Sequence, residues 1–365
     1  MSKNSITSTS RQSSAFTRYF KDNAAILIGL LAISLFLQLT SGGWTSEGFN
    51  FMGGTFLKQK NILNVLRQVS INANLACGLT IVIILGGIDI SVGSIVALSG
   101  VLAAGMIQNF GMPVWVAVAV GVLTGLLCGM INAFIISTTP LPPFIVTLSM
   151  MQTARGFAYI YTSGAPIRVM ADEFNFLGSG YWDIGGFTVG QMNIFGNVVG
   201  PWDIGVFSVP IPVLYSIVLL AITAYILNRT RLGRHIYAVG GNREAARFAG
   251  INDRKVLFFA YSYSGLLAGI SGVVLAARMF SGQPTAGDGQ EMETIAATVL
   301  GGTSMLGGQG AMGGTIIGVL IMGALSNGLN ILNINSFWQY VVKGVVILLA
   351  VYVDVLKKRT KKVKA

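Results

Sequence analysis

Charge is what this chain has least of. Charged residues fill 10% of its 365 positions, against a usual share of about 25% in soluble domains. A water-soluble globule of ordinary surface polarity is therefore excluded. There is one histidine, His235, and there are two cysteines, Cys77 and Cys128. A lone histidine excludes a histidine-built metal centre or proton relay. The two cysteines both fall inside apolar runs, which leaves no disulfide framework and no zinc site, and they read as small buried hydrophobes. No G-x-x-x-x-G-K-[ST] occurs, so the chain carries no phosphate-cradling ATPase loop and no nucleotide cofactor of its own. Acids number 13, and only Asp89 and the pair Glu291/Glu293 lie in or beside an apolar run. An ion-driven carrier calls for more intramembrane carboxylates, and no set of nucleophile, base and orienting group is present for an enzyme.

What is there is apolar. Hydrophobic residues make up 53% of the chain, in runs of about 17 to 25 residues that match helices crossing a core of roughly 30 Å. The expectation is an all-α polytopic membrane protein with about ten transmembrane helices. They fall at residues 24–40, 69–85, 92–107, 113–136, 144–161, 213–227, 256–277, 292–300, 315–332 and 337–355, the eighth being the shortest and least apolar. Residues 1–23 form a polar tail, 24–355 the transmembrane domain, and 356–365 a basic tail. The first run begins late and lacks a small-x-small cleavage site, so it reads as a retained span. Glycines recur every fourth residue at Gly121/Gly125/Gly129, Gly265/Gly269 and Gly314/Gly318. Such faces let neighbouring helices approach closely.

The formal charge of +11 then reports topology, not affinity for nucleic acid. Seven of the 24 Lys and Arg residues lie in residues 228–255, six in the C-terminal tail and four in the N-terminal tail. Positive loops stay on the cytoplasmic side, which puts both termini and this loop inside. Residues 163–212 carry one cation, Arg168, and are expected outside. This segment contains alternating patches such as residues 187–190 that suit short strands. Its aromatics Tyr181, Trp182 and Trp202 are candidate anchors for a soluble partner; the plainer reading rests them at the membrane interface.

Two sets of residues are candidates for function. In the basic loop, Gly240-Gly241-Asn242 offers a turn and an N-cap, a short helix of good formers follows through Glu244, Ala245 and Arg247, and Gly250 closes it. A short capped helix outside the membrane suits docking into a groove on a soluble partner; otherwise the loop merely fixes topology. In the spans, Asp89 lies in L-G-G-I-D-I-S-V-G, either in a broken helix near a path or as a cap on the next helix. Gln152, Arg155 and Tyr159 share a face of the fifth span, and Asn327 and Asn330 share one in the ninth. Each is either a weak contact for a hydroxyl-rich solute or an interhelical hydrogen bond.

Ordered blocks across residues 60–354 carry a resemblance. They include G-G-I-D-I-S-V-G at 86–93, F-I-V-T-L-S-M-M-Q-T-A-R-G at 144–156, T-R-L-G-R-H-I-Y-A-V-G-G-N at 230–242, A-A-R-F-A-G-I-N at 245–252, Q-P-T-A-G at 283–287, I-A-A-T-V-L-G-G-T-S at 295–304, N-G-L-N-I-L at 327–332 and W-Q-Y-V-V-K-G-V-V-I-L-L-A-V at 338–351. The chain resembles the permease subunits of bacterial binding-protein-dependent sugar ABC importers, and the ribose permeases most. The resemblance implies a multi-pass plasma-membrane subunit that works as a pair, with ATPase subunits beneath and a solute-binding protein above, carrying a monosaccharide. It implies that residues 240–251 are the coupling helix, with Arg234, Gly240, Gly241, Asn242, Glu244, Ala245, Arg247 and Gly250 as its ATPase-facing set, and that Gln283 joins the outer docking residues. ATP and Mg are then bound by the partner ATPase, and this chain is not an enzyme. Ile90 stands where Leu is usual, Glu293 where Asp is frequent, and the outer loop of residues 166–212 is longer than typical. The rival readings are an autonomous ion-coupled sugar carrier and a membrane receptor for the sugar-binding protein.

Overall fold

The computed structural model describes residues 15–42, 44–45, 48–49, 54–184, 187–189, 192–194, 197–199, 202–204 and 207–363. The first helix, α1 (Ala15–Thr40), leads through the small hairpin β1 (Trp44–Thr45) and β2 (Gly48–Phe49) to α2 (Gln59–Ile84), α3 (Val92–Gln108), α4 (Val114–Thr138) and α5 (Pro143–Thr162). Next come β3 (Ile167–Arg168), α6 (Asp172–Ser179), and six strands: β4 (Tyr181–Ile184), β5 (Phe187–Val189), β6 (Met192–Ile194), β7 (Asn197–Val199), β8 (Trp202–Ile204) and β9 (Phe207–Pro210). The chain continues with α7 (Ile211–Arg229), α8 (Arg231–Gly241), α9 (Arg243–Phe248), α10 (Asp253–Arg278), β10 (Ser281–Gly282), α11 (Gln290–Leu300), α12 (Met312–Ile331) and α13 (Ser336–Val363).

Among the described residues five helices, α2, α4, α7, α10 and α12, are long and apolar enough to cross a membrane, and Ile26–Thr40 and α3 are shorter apolar helices. The chain is thus a polytopic helical membrane protein. Two expectations change. The eighth segment is a helix of 11 residues, about 16 Å long, or roughly half a hydrocarbon core; it does not cross by itself. The outer segment is not helical beyond α6. Its strands pair as β4–β9, β5–β8 and β6–β7 in one register, from Tyr181↔Pro210 to Ile194↔Asn197, so the all-α description holds for the membrane part alone.

The centre of the bundle is α10, which packs along α4, α3 and α2. Its contact with α4 is the glycine seam: a Cβ on Gly125 would fall on Gly269 and one on Gly129 on Gly265. Backbones at that separation gain dispersion contacts that side chains would prevent, which is what holds helices together where lipid is as apolar as leucine. Gly318 likewise sits on Ala297 and Gly301 on Gly314, fixing α12 to α11.

Two breaks position everything functional. After Ile84 the chain runs without helix to Ser91, and Asp89 there bonds Ser264, near the middle of the 26-residue α10. Hence α3 begins near mid-depth. After β10 a second non-helical stretch, residues 283–289, brings Gly287 against Gly93 in the first turn of α3, and α11 starts there in the opposite direction. The order long helix, break, short helix, two further helices occurs from α2 to α5 and again from α10 to α13.

Candidate functional site

The basic loop of residues 228–255 is two helices, not a turn and a helix. Thr230 caps α8 by accepting from Gly233 N at 3.1 Å, and Gly233, Ile236 and Val239 bury one face of it. Gly240 and Gly241 form its last turn, so the expected turn at these glycines is displaced to Asn242. Asn242 caps α9, its Oδ1 accepting from Ala245 N at 3.0 Å, and Gly250 ends the segment at φ 81°, a left-handed conformation that favours glycine. Ala246 is buried, whereas Ala245, Arg234 and Glu244 are exposed. Glu244 adds negative charge to the first turn, as the helix dipole favours. Arg243 Nε and Arg247 Nη2 both donate to Asp253 Oδ2, at 2.6 and 2.7 Å, so Arg247 is tied to its own chain. Burial would raise the Asp253 pKa, but the hydrogen bonds and charges of Arg247 and Arg243 prevail and hold it at about 2. What α9 offers outward is Phe248, 93% exposed.

This loop touches the breaks directly. A Cβ on Gly240 would fall on Ile84 O, the last residue of α2, and Gly240 also abuts Gly308. Gly308 N donates to Ile84 O at 2.8 Å, and Tyr237 Oη to Gly310 O at 2.8 Å. The basic loop, the end of α2 and the turn before α12 thus meet backbone to backbone.

At mid-depth Asp89 is fully buried. Its Oδ1 accepts from Ser91 N and Ser91 Oγ, at 3.0 and 2.6 Å, and its Oδ2 from Ser264 Oγ at 2.8 Å; Asn132 Nδ2 donates to Ser91 Oγ at 3.0 Å. Ser91 holds the N-cap position of α3 without a side-chain cap bond, and Asp89 lies two residues before it. Asp89 instead fastens the break to α10. On α5, Arg155 Nη1 donates to Pro284 O and Ala286 O, both at 2.7 Å, and so braces the second break, while Gln152 and Tyr159 point to the exposed face. Asn327 makes a reciprocal amide pair with Asn61 at 2.9 and 3.1 Å, tying α12 to α2. Asn330 accepts from Gln339 at 2.8 Å. The six candidate path residues therefore do not converge.

The profile of the family described as "Branched-chain amino acid transport system / permease component" matches residues 61–351. The chain belongs to that permease family. The ribose import permease protein of Bacillus subtilis (strain 168) is 43% identical over 307 residues, 84% of this chain and 88% of that protein. The Escherichia coli (strain K12) ribose import permease protein is 44% identical over 301 residues, 82% and 87% of the two chains. The Haemophilus influenzae xylose transport system permease protein is 33% identical over 376 residues, 92% and 98% of the two. No solved structure matches the chain. The permease is a transport component, not a catalyst.

Several residues of the permease escaped the sequence reading. Asp253 looked like one more loop charge, and only its place opposite Arg243 and Arg247 reveals a clamp. Lys343, inside α13, forms an ion pair with Glu293 of α11, which also accepts from Asn72 of α2 at 3.2 Å; a lysine inside an apolar run was the signal. At the start of β4 Tyr181 lies over the Arg67 guanidinium at 4.4 Å, so half of that aromatic pair is engaged by its own chain, while Trp182 is 62% exposed. Gln283 donates to Ser281 Oγ at 3.1 Å, beside the β3–β10 pairing. Trp202 pairs Val189 in the hairpin, and its side chain lies outside the described residues.

Proposed function

We propose that this permease forms the path for a monosaccharide in an ATP-driven importer, between two copies of itself, with a separate ATPase below and a solute-binding protein above. The relatives' names support ribose or another pentose as the cargo. The observation that carries the mechanism is the backbone contact of Gly240 with Ile84 and Gly308. A rigid, clamped helix pushed by an ATPase cannot move there without moving the end of α2 and the turn before α12, and both lead into the mid-depth breaks. Closed backbone packing transmits displacement because it leaves no slack to absorb it. Phe248 is the anchor we assign to the ATPase groove, since a large exposed aromatic on a pre-ordered helix gains most from burial. Ten crossings with both termini inside complete this reading, the eighth made jointly by residues 283–289 and α11.

The test is reconstitution with ATPase and binding protein. Phe248→Ala touches nothing inside the permease, so insertion should be normal while ATPase association weakens at least tenfold, about 1.4 kcal/mol or more. Gly240→Ala places a Cβ on Ile84 O and forces the loop off the end of α2, so the inserted permease should lose stimulation of ATP hydrolysis by the loaded binding protein. Wild-type coupling in both variants would overturn the docking and transmission assignments together.

A further inference from the structure

The second break carries a carboxylate that none of the contacts above uses. Gly287 lies on Gly93, so the adjoining residue stands within about one helical turn of mid-depth. The stretch is flanked by α5, through Arg155 on Pro284 O and Ala286 O, and by α13, whose Tyr340 ring lies beside Gly289. Pro284, Gly287 and Glu291 turn inward, whereas Thr285, Asp288 and Met292 are exposed. Glu293 has Lys343, and Glu291 packs on Gly93 within electrostatic reach of both Asp288 and Arg155. Among the described residues the Asp288 carboxylate makes no ion pair, and its side chain makes no hydrogen bond.

An exposed carboxylate at this depth does not face hydrocarbon. The surface around it agrees. Exposed Gln152 and Tyr159 of α5 and Tyr340 of α13 give it an amide and two phenols. The face that α4 leaves open shows Trp115, Leu123, Leu127 and Phe134 instead, as lipid contact requires. We propose that Asp288 is a water-facing carboxylate of the translocation path, placed to accept hydrogen bonds from the hydroxyls of a neutral sugar and to repel anionic solutes. This rests on the importer reading and deepens it. Two copies would set two unneutralised carboxylates around one path, an electrostatic barrier of the kind that rings of like charge impose in channels. Neutral polyols pass it, and sugar acids or sugar phosphates meet repulsion.

The test uses the assembled permease–ATPase complex in lipid nanodiscs. Cys77 and Cys128 are buried, so the native background towards thiol reagents is silent. In a Thr285→Cys variant, a cationic methanethiosulfonate should react about tenfold faster than an anionic one of similar size, because local potential sets the encounter rate. Adding Asp288→Asn should bring the ratio close to one, and Trp115→Cys should resist both reagents. Met292→Cys repeats the measurement if Thr285→Cys fails to assemble. An unreactive cysteine on this face, or a ratio indifferent to Asp288→Asn, overturns the proposal; a ratio near one with Asp288 present means a cation of the second copy neutralises it, which overturns it equally. With the complete importer, Asp288→Ala should lower uptake of the delivered neutral sugar several-fold while ATPase stimulation persists, and unchanged uptake would remove the sugar contact. Failure of the wild-type complex to import any sugar would sink the importer reading alone, since the labelling ratio does not depend on transport.

Discussion

Asp253 and Asp89 are both buried carboxylates held by two partners, and they differ in what removal does. The folded pKa of Asp253 is about 2, below its ordinary 3.8. Its contribution is therefore complete above about pH 4 and is lost as pH falls through about 2. Its guanidinium partners are about half exposed, so solvent screens the pairing, and Asp253→Asn should cost about 1–2 kcal/mol locally. The readout is trypsin cleavage of the 243–254 loop at neutral pH, faster in the variant; equal rates would show that the clamp holds nothing. For Asp89, an Asn retains one carbonyl oxygen for the Ser91 bonds, and its amide can donate to Ser264. Ala leaves the Ser91 and Ser264 donors unsatisfied in a dry interior, at about 1–3 kcal/mol each. Asp89→Asn should therefore assemble and transport, and Asp89→Ala should lose the folded protein in detergent. A well-assembled but inactive Asn variant would instead give the charge itself a part in gating.

Among the elements, α13 is held by two side-chain contacts, Gln339 on Asn330 of α12 at 2.8 Å near its start and the Lys343–Glu293 ion pair one turn on. It packs mainly on α11, and the Lys343–Glu293 pair with Asn72 ties three helices together. Breaking a buried pair strands a charge, whereas replacing both partners with apolar groups of similar shape does not. The two side chains are 20% and 16% exposed, so Lys343→Met alone should destabilise assembly by about 2 kcal/mol, short of a fully buried pair, and the double variant Lys343→Met with Glu293→Leu should recover most of it, read as monodisperse yield after extraction. Equal loss in single and double variants would refute the pairing. The helices that were easiest to read, α4 and α12, are long, carry no charge and have glycine faces. The hardest was α8: its three buried residues at every third position sit among two arginines and a histidine, and nearby cations obscure amphipathicity.

For the molecule as a whole, orientation is the first thing to check. Asp183→Cys in the outer hairpin should react with an impermeant thiol reagent applied from outside, and Asn242→Cys should not; the reverse would invert the mechanism. Replacing residues 185–206 by a brief Gly/Ser link should raise the binding-protein concentration needed for half-maximal uptake and spare the maximal rate, and an unchanged concentration dependence would make the hairpin only a cover. Composition by itself determined the membrane class, and local pattern the capped helix within the basic loop, because hydropathy and capping act over a few residues each. The glycine spacing foretold the α4–α10 seam for the same reason. Tertiary structure decided the rest: that Arg247 is clamped and Phe248 free, that Asp89 fastens a break, and that the eighth segment reaches only part of the way across. The clamp is a matter of side-chain geometry across 6 to 10 residues, whereas the breaks depend on Asp89 meeting Ser264 across 175 residues and Gly93 meeting Gly287, and no local pattern encodes which distant group a residue will touch.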